Sequence, residues 1–102
     1  MIDPQTKVIA QVIQERKNQD RQWGGAAHDD THDIRDWFRF IYQQQEKNHQ
    51  RVLAILNRQD WGQISNAHGE ELLRVESRKT LIKIAALAVA AVESLDRKSD
   101  GN

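Results

Sequence analysis

The sequence predicts an all-α fold, a bundle of three or four helices around an alanine-rich C-terminal helix. Three observations carry that expectation. Residues 80–97 form the one long apolar stretch, with Leu81, Ile84, Leu87, Val92 and Leu95 at helical spacing. A second run, from Ile34 to Leu56, keeps the same spacing around Trp37, Phe38, Ile41 and Val52. No segment shows sustained period-two alternation or a cluster of β-branched residues, so strands are not expected.

Taken in order, Asp3-Pro4 reads as an N-cap followed by proline in the first turn. Val8, Ile9, Val12 and Ile13 give the first helix a narrow apolar stripe, and the helix is expected to run from Pro4 to about Asp20. Its second half is wholly polar. Trp23-Gly24-Gly25 ends it, because a glycine can take the left-handed conformation that closes a helix. A loop to Asp33 follows, and Thr31 or Asp33 can cap the next helix. Residues 33–57 read as one helix of roughly two dozen residues, since neither proline nor glycine interrupts them. Two helices broken near Asn48 are the alternative. Asn57 to His68 reads as a second loop. Asn66 can cap a segment from Glu70 to Ser77 that leads toward the central helix.

In that central helix Ala85, Ala86, Ala88, Ala90 and Ala91 add helix propensity, because alanine loses no side-chain entropy on becoming helical. They also widen the apolar stripe until it nearly encircles the helix, so burial on most sides is expected. Trp37 reads as core, and Trp23 and Trp61 as side chains folded back over helix ends. With 102 residues, one helical domain over 1–98 and a flexible polar tail over 99–102 are expected. A domain this small buries a modest share of its surface, which makes a homodimer or larger homo-oligomer the expected assembly.

Fifteen basic and fifteen acidic residues cancel, so there is no strong nucleic-acid signal and no global attraction to anionic membranes. The absence of cysteine excludes disulfides and thiolate metal sites. The start Met1-Ile-Asp-Pro4 lacks the basic and apolar regions of a signal peptide. The apolar core between Lys83 and Glu93 is far shorter than the roughly 20 residues a bilayer requires. A soluble, cytoplasmic protein is the expectation.

Two acidic groups are candidate metal ligands. His28, Asp29 and Asp30, followed by His32 and Asp33, place carboxylates and imidazoles close together, a set suited to Mg2+ or another divalent cation. The same carboxylates also suit helix N-termini, whose dipole they offset. Glu70-Glu71 is the second group, and it reads equally as the acidic first turn of a helix. Trp23 offers a stacking surface, and Lys79 and Lys83 offer charge to a phosphate, so these three are the candidate nucleotide contacts. No nucleophile motif, glycine-rich phosphate loop or HExxH is present.

Three stretches together carry a resemblance: Glu15-Arg16-x-x-Gln19-Asp20-x-x-Trp23-Gly24, then His28-Asp29-Asp30, then LIKIAALAVAAVESLDR over 81–97. The combination resembles a group of small uncharacterised proteins of bacteriophages, prophages and other mobile DNA. Some relatives of that group are similar to MazG-like nucleotide pyrophosphohydrolases. The resemblance implies an all-α, dimeric or tetrameric protein and, for the enzymes, magnesium-assisted cleavage of nucleoside triphosphates to monophosphate and pyrophosphate. Their signature is EExxE and ExxD on facing helices. Glu70 and Glu71 match the first pair, but Arg74 stands at the third acid, and Glu93-x-x-Asp96 follows the apolar helix instead of preceding it. Two readings of function result. One is a mobile-element helical protein that is non-enzymatic and acts by oligomerising or binding another protein. The alternative is a MazG-like Mg-dependent pyrophosphohydrolase, or a catalytically degenerate nucleotide-binding relative.

Overall fold

The computed structural model describes residues 2–100. Four helices follow one another: α1 (Pro4–Trp23), α2 (Gly25–Asp29), α3 (Ile34–Asp60) and α4 (Asn66–Asp100). The all-α expectation holds, and no strand occurs among the described residues. No helix among them is long and apolar enough to cross a membrane.

The local signals explain most boundaries. Asp3 caps α1: its carboxylate accepts from the Thr6 backbone N–H at 3.0 Å and from the Thr6 hydroxyl at 2.8 Å, with Pro4 in the first turn. Gly24 ends α1 at φ +103°, donating its N–H to the Asp20 carbonyl at 2.8 Å, so α1 runs to Trp23, beyond the expected Asp20. The expected loop before Asp33 contains one further helical turn, α2. A reciprocal capping box opens α3, with Asp33 accepting from the Asp36 N–H and Asp36 accepting from the Asp33 N–H. As expected, α3 is one helix.

Helix α4 is longer than the apolar stretch suggested. It starts at Asn66, where the Ser65 hydroxyl accepts from the His68 N–H, and runs unbroken through the central segment. Ser99 and Asp100 continue it, and the rest of the expected tail, 101–102, lies outside the described residues.

Helix α3 runs antiparallel along α4, pairing Asn48 with Thr80, Arg51 with Glu76, and Gln59 with the Asn66 carbonyl. The core lies near the start of α3 and the C-terminal half of α4. Trp37 packs there on Ala90 and Ala91, with Phe40 and Leu87 beside them. Ile55 and Ala86 are also buried. Helix α1 lies on another side of α4, held through Arg78 to Gln11 and Gln19 to the Lys83 carbonyl. None of its residues is buried.

One expectation fails here. The central helix is not covered on most sides. Thr80, Ala86, Ala90, Ala91 and Ser94 point inward, while Leu81, Val92 and Leu95 are exposed. The physical reason is the number of covering helices: α1 and α3 occupy two sides of α4, and among the described residues nothing occupies the third. Trp61 folds back on the end of its own helix, its indole donating to the Asn57 side chain, and remains 74% exposed.

Candidate functional site

The three stretches quoted for the resemblance meet at one place, where α1, α2 and the C-terminal part of α4 converge. Arg16 sits at the centre. Its guanidinium bonds Asp20 at 2.6 Å, one turn along α1, and faces Asp29 and Glu93 at 3.6 Å each. Beside it, Arg97 grips the Asp30 carboxylate through both Nε and Nη2, at 3.1 and 2.8 Å. Such a two-point clamp fixes geometry as well as charge. The buried Ser94 hydroxyl donates to Asp30 Oδ1 at 2.9 Å. Lys98 donates to the His32 carbonyl, closing the edge of the group.

Asp29 and Asp30 are neighbours in opposite electrostatic situations. Burial pushes the Asp29 carboxyl above its ordinary value, because Arg16 is near but not hydrogen-bonded to it. Asp29 Oδ2 and Arg16 Nε are both buried without a hydrogen-bond partner. The Arg97 hydrogen bonds, followed by that of Ser94, hold Asp30 below its ordinary value. Burial lowers the Arg16 guanidinium, but the hydrogen bond and charge of Asp20 outweigh that effect and its pKa is raised.

An aromatic chain adjoins this cluster. Trp23 stacks on His28, with ring centroids 6.1 Å apart. His28 meets His32 edge-on, and His32 meets Trp37 and Phe40 the same way. The His28 and His32 Nε2 atoms lie 3.3 Å apart, so one imidazole donates and the other accepts. His32 Nδ1 lies 3.5 Å from Asp36.

The two expected acidic groups do not converge. Asp30 bonds Ser94, whereas Glu71 lies twenty-three residues earlier on the same helix, about 34 Å away along its axis. Glu71 is instead clamped by Arg74 at 2.5 and 3.0 Å, which holds it below its ordinary value. Glu70 is exposed next to it. Among the described residues, no group of three or more His, Asp or Glu could hold a metal ion. The donor set does not fit magnesium. Asp29 and Asp30 face guanidiniums, and Arg74 occupies the turn where a third acid is wanted.

Lys79 and Lys83 lie elsewhere, in a shallow groove of about 540 Å³ between α3 and α4 that Arg51 and Arg58 also line. Glu76 is the acid in the groove, pairing with Arg51 at 3.2 Å. Trp23 is remote in sequence and sits with the histidines, so the three expected nucleotide contacts divide between two places.

Sequence reasoning missed Arg16, Ser94 and Arg97 as members of the first group, and Arg51 and Arg58 as members of the second. Arg16 and Arg97 were visible inside the quoted stretches. Their partners were not, since Arg97 reaches 67 residues back to Asp30. Comparison of the chain with family models, with curated proteins and with solved structures finds no match.

Proposed function

We propose that the chain is a non-enzymatic helical module that acts by self-association, of the mobile-element kind its ends resemble. One observation carries this reading: the single chain leaves too much of itself uncovered. A compact monomer of 11.8 kDa exposes about 5,900 Å², whereas this chain exposes 7467 Å². The excess is about 1,600 Å², about twice what each partner gives to an interface of standard size. Its radius of gyration, 16.9 Å, likewise exceeds the roughly 13 Å of a compact chain of this length.

Large apolar side chains contribute to this excess. Phe38 and Tyr42 stand exposed on α3, Ile9 and Ile13 on α1, and Leu81 and Val92 on α4. Exposed apolar side chains in this number, on all three long helices, favour association. The ion cluster supports the same reading, because paired guanidiniums and carboxylates tie α1 and α2 to α4 and serve as a structural clasp. Light scattering at micromolar concentration tests it. The expected mass is about twice the 11.8 kDa of the chain, and a mass of one chain would contradict the proposal.

The basic groove favours a second reading, a catalytically degenerate nucleotide-binding relative of the MazG-like enzymes. Four cations around one acid would attract a triphosphate in an otherwise neutral protein. Incubation with a panel of NTPs and dNTPs plus magnesium or manganese separates the readings. Thermal stabilisation by nucleotide would support the second. Neither it nor pyrophosphate release is expected under the first.

A further inference from the structure

Resting on the self-association just proposed, we infer that the outer face of α4 is the contact between two copies, packed antiparallel about a two-fold axis at Ala88. Leu81, Ala85, Ala88, Val92 and Leu95 follow one another at steps of four, three, four and three residues. That is the 3.5-residue period of a coiled-coil seam. The seam lies away from the inward face of Thr80, Ala86, Ala90, Ala91 and Ser94. Leu81 and Val92 are 64% and 56% exposed, and Ala88 between them is exposed too. So α4 carries a second apolar face that the other described residues leave largely bare, with Ala85 half-buried within it.

A second copy fits this face better than an unrelated partner. Folded on itself about Ala88, the seam sets Leu81 against Leu95 at both ends and small alanines at the centre, where two helices must come closest. Charge selects the direction. Arg78 and Asp96 lie at either end of the seam on the same flank, and both are exposed, with Arg78 also donating to Gln11 of its own chain. In an antiparallel pair each Arg78 lies within one turn of the other copy's Asp96, giving two opposite-charge contacts. A parallel pair would put the two copies' Arg78 on opposite flanks at one end and Asp96 at the other, so neither contact would form. The chain's whole uncovered excess, of which this face is one part, is about twice the roughly 800 Å² that one copy gives to a dimer of standard size.

The absence of cysteine makes the test clean. Single Leu81→Cys, Leu95→Cys, Ala88→Cys and Phe38→Cys variants and the Leu81→Cys/Leu95→Cys double variant are oxidised and run without reductant, with the native mass of each measured alongside. A disulfide forms only where Cα atoms approach within roughly 7 Å. The expected result is a covalent dimer for Ala88→Cys and for the double variant, and none for Leu81→Cys or Leu95→Cys alone. Cross-linking of Leu81→Cys alone would show a parallel pair and overturn the inference. Cross-linking of Phe38→Cys but not Ala88→Cys, in a protein that is dimeric by mass, would move the contact to α3; it would overturn this inference and leave self-association standing. A monomer by mass would overturn both.

Discussion

The two faces of α4 are built the opposite way round from a self-sufficient helix. Its inner face buries alanines, a serine and a threonine; Ala86 is 0% exposed. Its outer face presents Leu81, Val89, Val92 and Leu95 to solvent. The inner face explains itself. Trp37 of α3 is large, so the helix opposite must be small where it packs on Ala90 and Ala91, as close-packed interiors require. The outer face has no such counterpart within the chain. Leucine and valine placed there gain only part of their burial in a monomer, and a second copy would add a share of the roughly 1.5–3 kcal/mol that full burial of such a side chain brings. The difference teaches that the folding of one chain and its association are divided between two sides of one helix.

That contrast can be broken from the inside first. Trp37→Ala empties the middle of the core, and denaturant unfolding should show a loss of about 4 kcal/mol. Ala86→Leu adds bulk where none fits, and the same measurement should show a loss of about 2 kcal/mol. On the outer face, Leu81→Ala sharpens the comparison. In an unpartnered chain it would change stability by less than about 0.5 kcal/mol. With a second copy covering it, the loss should approach about 2 kcal/mol and depend on protein concentration.

The smallest effect concerns the clasp, and it is one of sign. Asp30 is held below its ordinary value of 3.8 by Arg97 and Ser94, so its contribution is present above that value and is lost as pH falls through the lowered one. Asp30→Asn should therefore differ most from the wild type at neutral pH, and the difference should vanish in strong acid. Asp29 is raised by burial, so its contribution is lost as pH rises through the raised value. Asp29→Asn should gain on the wild type over that same rise. Thermal unfolding of the two variants from acid to neutral pH measures both slopes.

Much of the fold was legible in the sequence because it rests on local chemistry. Asp3-Pro4, Gly24 and Asp33 act on their own neighbours, and their roles follow from residue type and position. The single long α3 followed from an uninterrupted pattern. Trp37 was readable as core from its place in an apolar stripe. The buried face of α4 was not readable, because alanine, leucine and valine surround that helix and only the partner helices decide which of them turn inward. The clasp was half readable. Its carboxylates stood out as a cluster, but clusters of acids suggest metal. The arginines that neutralise them come from α1 and α4, which the chain brings near only on folding.

Sedimentation equilibrium of the wild type and Val92→Asp, over a range of concentration, tests the central claim most directly. The account predicts a dimer for the wild type and a helical monomer for Val92→Asp, since one charge at the seam leaves the inner face of α4 intact. A wild type that stays monomeric throughout, or a Val92→Asp variant that remains as dimeric as the wild type, would contradict it.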